Sequence, residues 1–132
     1  MQSNDFKKYQ EQYINTLAPG ELVTLLYNEI VKNLNKSILY INNKKIMDAH
    51  TCIVKAQDII LHLINTLDFN FSIANELLPL YEFMYDSLVK ANVKKDTTII
   101  YQIMGMVNEL RDTWVEAEKQ SRVNSYVLGK SV

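Results

Sequence analysis

Three glycines and two prolines are the only such breaks in 132 residues. Sandwiches and α/β folds need far more turns than that, so scarce punctuation selects a few long helices. The length sets one domain with one core. Apolar residues at 48% and charged residues at 22% give the composition of a globular chain rather than a disordered one.

Four blocks carry helical periodicity. The first opens at Pro19-Gly20-Glu21, where proline suits the first turn and Glu21 complements the positive helix end. Val23, Tyr27, Ile30, Leu34, Ile38 and Ile41 then mark one face, and Asn42-Asn43-Lys44-Lys45 reads as a turn. The second block places Ala49, Ile53, Ala56, Ile60, Leu63 and Leu67 at alternating four- and three-residue steps, a seam suited to left-handed bundle packing. Asp68-Phe69-Asn70-Phe71-Ser72 ends it, with Ser72 expected as the next cap.

The third block carries Leu77, Tyr81, Met84, Leu88 and Ala91, and Pro79 predicts either a kink or a helix that starts there. After a turn from Asn92 to Asp96, with Asp96 as N-cap, the fourth seam runs Ile100, Ile103, Val107, Leu110, Trp114, Ala117. Short connections make consecutive helices antiparallel neighbours. The expected fold is all-α, an antiparallel up-down-up-down four-helix bundle over residues 18–119. A short N-terminal helical segment (1–17, with Phe6, Tyr9, Tyr13 and Ile14) precedes it, and a polar mobile tail (120–132) follows.

Chemistry finds little support in the residue pattern. A di-iron site needs Glu-x-x-His pairs and none occurs; His50 and His62 lie too far apart along one helix to chelate one ion. Phosphotransfer from His50 would want a lysine and a glycine in the next turn, but Lys55 falls on another face. No phosphate loop or Ser-His-Asp set appears, and Arg111-Asp112 reads as separate surface or interhelical pairs because adjacent helical residues diverge. The reading is a non-enzyme with no cofactor and no metal. Cys52 excludes an internal disulfide and fits a reducing compartment. Fourteen basic against fifteen acidic residues argue against nucleic acid, and no apolar run suits membrane insertion. A polar N-terminus without a secretory signal completes the expectation of a cytoplasmic protein.

Apolar residues beyond the seams remain. Ile99 and Met106 form a shoulder on block four with Met104 opposite; Cys52 and Ile59 do so on block two, Phe83 and Tyr85 on block three. Periodicity alone allows either a wide core stripe or a groove for an amphipathic partner. Methionine suits a surface that must accept varied side chains. Gly105, inside the fourth block, predicts close approach of another backbone.

Four stretches in order resemble the flagellar export chaperone FliS family. They are Tyr9-Gln10 followed by Ala18-Pro19-Gly20-Glu21-Leu22 with Leu26-Tyr27-Asn28; Lys55-Ala56-Gln57-Asp58-Ile59-Ile60 with Leu67; Leu80-Tyr81-Glu82-Phe83-Met84-Tyr85 with Leu88-Val89-Lys90-Ala91-Asn92 and Asp96; and Leu110-Arg111-Asp112-Thr113-Trp114. The likeness spans about Tyr9 to Ala117. Ala18, in place of the family's small hydroxyl residue, and Pro79 depart from it.

The resemblance implies a cytosolic chaperone that binds the disordered C-terminal segment of flagellin, prevents premature polymerisation and delivers it to the export gate protein FlhA. A co-chaperone is an optional further partner. The apolar shoulders then become a flagellin-binding surface comprising Cys52, Ile59, Ile99, Ile103, Met106 and Leu110, with Trp114 assigned to the core. Phe6 and Tyr9 match the family's export-gate docking pair, and residues 1–17 are expected to act as a displaceable lid. The alternative is a generic helical adaptor or homodimerising bundle that uses the same shoulders.

Overall fold

The computed structural model describes residues 19–127, with side chains described for 20–121. Among them lie four helices and no strand: α1 (Pro19–Asn42), α2 (Ile46–Asn65), α3 (Ile73–Lys94) and α4 (Thr97–Val127). Each helix packs on its neighbours in the order α1–α2–α3–α4, and α4 closes the ring against α1. This is the expected antiparallel bundle.

The seams are the core. Tyr27, Ile30, Leu34, Ile53, Ala56, Ile60, Tyr81, Met84, Leu88, Ile100, Ile103 and Val107 are all buried in one cluster. Leu110 and Trp114 are only partly buried, and Ala117, the last expected seam position, is exposed. Buried polar groups on α1 are satisfied within the helix: Ser37 Oγ donates to Leu34 O at 2.6 Å and Asn33 Nδ2 to Glu29 O at 2.8 Å.

The connections show how the ends form. Lys44 adopts the left-handed region (φ 61°) in the α1–α2 turn. Asp96 caps α4 as expected, its Oδ1 accepting Thr98 N at 2.9 Å and Ile99 N at 3.4 Å. The preceding turn is tighter than expected, because α3 continues to Lys94 and Lys95 alone turns the chain in the left-handed region. Ser72 makes no side-chain cap; backbone turns supply the first bonds instead, Ala74 N to Phe71 O and Asn75 N to Ser72 O.

Pro79 neither starts α3 nor ends it. It removes one donor, and Asn75, whose carbonyl would have received it, lies on the exposed side, while Ala74 and Leu77 anchor the turns before it on the core. The fourth helix runs to Val127, so the expected tail is helical as far as that residue. Residues 1–17, with Phe6 and Tyr9, fall outside the described part.

At the centre, the hydroxyls of Tyr27 and Tyr81 lie 2.6 Å apart and join α1 to α3. Burial pushes both phenol pKa values above the usual 10.0, and the bond from Tyr27 raises that of Tyr81 further. The unfolded chain loses these protons near pH 10 whereas the folded chain keeps them. Stability is therefore full below about pH 10 and falls as pH rises, by about 1.4 kcal/mol per pH unit for each phenol, until the folded-state phenols ionise. Thermal melts between pH 8 and 11 will show this alkaline loss, and a Tyr27→Phe/Tyr81→Phe double variant will be less sensitive.

Candidate partner-binding surface

At the end of the bundle where α1 begins, the helices line a recess of about 500 Å3. Val23 of α1, Leu63 of α2, Leu77 and Tyr81 of α3 and Trp114 of α4 form its walls, with Phe71 and Ile73 at the α2–α3 connection. Phe71 is 64% exposed and Ile73 50%. The connection holds them out because its polar groups bond to each other. Thr66 Oγ1 donates to His62 O at 2.9 Å, Asp68 Oδ1 accepts Asn70 N at 2.9 Å, and Phe71 N reaches Asp68 O at 3.1 Å. Phe69 is exposed beside them.

The opposite wall is pinned by the start of α1. Trp114 Nε1 donates to Gly20 O at 2.9 Å, which stations the indole at the rim. The Glu118 carboxylate lies where a Cβ on Gly20 would stand. Glycine here admits an anion to the positive end of α1. The close approach expected at Gly105 is found at Gly20 instead. Gly20 is crowded, whereas Gly105 is exposed and an added Cβ would meet nothing within 4 Å. No neighbouring helix explains Gly105. Gly105→Ala will raise stability by about 1 kcal/mol through helix propensity, read as a melting temperature a few degrees higher.

The sequence-derived surface residues divide into two groups. Cys52 and Ile103 are buried, the latter 1% exposed. Ile59, Ile99, Met106 and Leu110 are partly buried and pack on the core with one edge outward. None of the six lines the recess. Trp114 does, so its expected place in the core is half right. Phe71 and Ile73 escaped the sequence reading because they interrupt helical periodicity. Their signal is the alternation of Phe69, Phe71 and Ile73 with polar residues across the end of the α2–α3 connection.

Arg111 does two things that its sequence position only half predicts. Its Nη1 donates to Asn28 Oδ1 at 3.0 Å, the expected interhelical pair. Its Nε and Nη2 also curl back to Asp112 Oδ1 at 3.3 Å, which helical divergence argued against. The guanidinium is long enough to do both, and the exposed pair adds little stability. His50 Nδ1 lies 2.9 Å from Asn92 Nδ2, and among the described residues no His, Cys, Asp or Glu cluster is suited to a metal ion. No described helix is long and apolar enough to cross a membrane.

Large apolar side chains displayed at the rim of a hydrophobic recess are a feature common at surfaces that meet another molecule. The family model of the flagellar protein FliS matches residues 2–121, and the chain belongs to that family. It is similar to the flagellar secretion chaperone FliS of Bacillus subtilis, 33% identical over 126 residues, which cover 96% of this chain and 95% of that one. It is also similar to the protein of the same name from Campylobacter jejuni, 25% identical over 126 residues, covering 93% and 98% respectively. Its fold matches a crystal structure of a bacterial flagellar chaperone with a TM-score of 0.73, at 19% identity and over 91% of this chain and 99% of that one. The family is one of flagellar secretion chaperones.

Proposed function

We propose that this chain binds the disordered C-terminal segment of flagellin in the cytoplasm, keeps it from polymerising early and delivers it to the export gate protein FlhA. The observation that carries the reading is the recess with Phe71 and Ile73 at its rim, an apolar feature that the bundle does not cover itself. Apolar side chains of a partner that reach it leave water, and the cost of ordering that partner offsets part of the gain. Reversible binding suits a protein that must give up its cargo.

Partly exposed residues on α2 and on α4 extend the same proposal. Ile59, Ile99, Met106 and Leu110 offer flexible and branched apolar contacts, with Cys52 and Ile103 supporting them from within. Docking of Phe6 and Tyr9 on the export gate, the lid role of residues 1–17 and a co-chaperone rest on the family resemblance alone.

The test is a sizing column with the flagellin C-terminal segment. A stable complex with one copy of each is expected, and Ile99→Asp with Met106→Asp will weaken it at least tenfold while helical content is kept. A homodimer indifferent to the segment would support the adaptor reading instead.

A further inference from the structure

The end of the bundle opposite the Phe71–Ile73 recess is closed by two turns, at residues 43–45 and 95–96. His50 Nδ1 and Asn92 Nδ2, 2.9 Å apart, hold the start of α2 beside the end of α3, so the two turns stand side by side. Charge is divided sharply along the bundle. Among residues 20–121, the half nearest these turns (32–55 and 86–108) carries eight lysines and three aspartates. The other half carries ten carboxylates against Arg111 and Lys119. None of the eight lysines makes an ion pair among the described residues, and Asp96 is engaged in capping α4. Large apolar side chains stand between the lysines of the turns. Met47 is 75% exposed, Leu39 61%, and Ile46 and Val93 are exposed beside them.

A net charge of −1 hides this polarity. The acidic half begins about 15 Å from the turns, because ten helical residues rise that far. Salt at physiological strength screens charges over about 8 Å, so a surface touching the turns meets the basic half alone. Lysine is a compact point charge on a flexible stem, and this half holds no arginine to fork a particular carboxylate or phosphate. That chemistry suits a diffuse anionic field better than a fixed acidic partner. Exposed apolar side chains on protruding turns suit a surface into which they can sink, which a nucleic acid does not offer.

We propose that this end of the bundle docks reversibly on anionic lipid headgroups, with Ile46 and Met47 entering between them. Lysines supply the attraction and the apolar side chains a second, shallow anchor, a pairing that holds a protein at a membrane surface without spanning it. Docking does not require cargo. It would leave the Phe71–Ile73 recess about 30 Å from the lipid, the length of α2, and open to a partner.

The test sediments the full chain with phosphatidylcholine vesicles that contain about a third phosphatidylglycerol, and with phosphatidylcholine alone. Binding to the anionic vesicles only is expected, falling steeply as salt rises. Lys44→Asn, Lys45→Gln and Lys94→Gln combined will weaken it about a hundredfold, on the order of fivefold for each lysine. The three side chains are exposed and unpaired, and asparagine tolerates the left-handed backbone at position 44, so the melting temperature will stay within a few degrees. Met47→Trp reports orientation independently: brominated anionic lipid will quench its indole and spare Trp114, the natural chain's single tryptophan. Equal binding to both vesicle types, lysine variants that bind as the parent does, or quenching of Trp114 in the parent would overturn the proposal. Tighter binding to polyglutamate or to duplex DNA than to the vesicles would assign this end to an acidic protein or a nucleic acid instead. Lipid-free assembly of the chain that the lysine variants abolish would assign it to the acidic end of a second copy, and equally overturn docking on lipid.

Discussion

Replacing Phe71 and Ile73 together by aspartate will weaken binding of the flagellin C-terminal segment about a hundredfold or more and leave the fold intact. Both side chains are at least half exposed, so their loss removes little folding energy. Ile73 opens α3, where an acidic side chain is favoured by the helix dipole, and the double variant will melt within a few degrees of the parent. In the complex, the two carboxylates would be forced against apolar cargo, and burying unpaired charge is far more costly than losing two contacts. Fluorescence anisotropy of a labelled segment measures the first effect, and a thermal melt the second. Retained affinity would show that cargo bypasses this recess.

Leu34→Ala will have the opposite signature. Leu34 is fully buried among side chains of the core cluster, so truncation leaves a cavity that the bundle can only partly close. A loss of about 2–5 kcal/mol is expected, lowering the melting temperature by on the order of 10 °C. Cargo affinity, measured well below the new midpoint, should change little. A loss under about 1 kcal/mol in denaturant titration would mean that the α1 seam is looser than its burial indicates. Together the two variants separate what holds the bundle from what the bundle holds.

The distinction between those roles explains what the sequence disclosed. Interior seams obey a simple period: residues three and four apart share a face, and Ala49 to Leu63 on α2 are buried as that spacing requires. Asp96 was legible because a short side chain before a helix has one obvious task. Ser72 carried the same signal but adopts helical backbone angles (φ −60°, ψ −28°), and turns that begin at Phe71 and Ser72 supply the first bonds instead. Pro79 does not start α3, because proline's cost inside a helix depends on whether the orphaned carbonyl faces water, which no local pattern states.

The candidate surface was less legible. A shoulder beside a seam is visible in periodicity, but its exposure depends on how far the neighbouring helix reaches over it. Cys52 and Ile103 are covered while Ile99 and Met106 keep an outward edge. The recess is assembled from three stretches distant in sequence, and its rim residues sit in and at the end of a connection where helical periodicity is silent. The glycines follow the same rule. Gly20 reads as an entrance signal, yet the carboxylate that occupies the space beside its Cα comes from Glu118, far along the chain.

Isothermal titration calorimetry of the full chain with the isolated flagellin C-terminal segment, at several temperatures, tests the central claim most directly. The account predicts one segment per chain and a negative heat-capacity change, the signature of apolar burial as a disordered partner becomes ordered. No heat of binding at any temperature, together with a sizing profile unaltered by the segment, would contradict it.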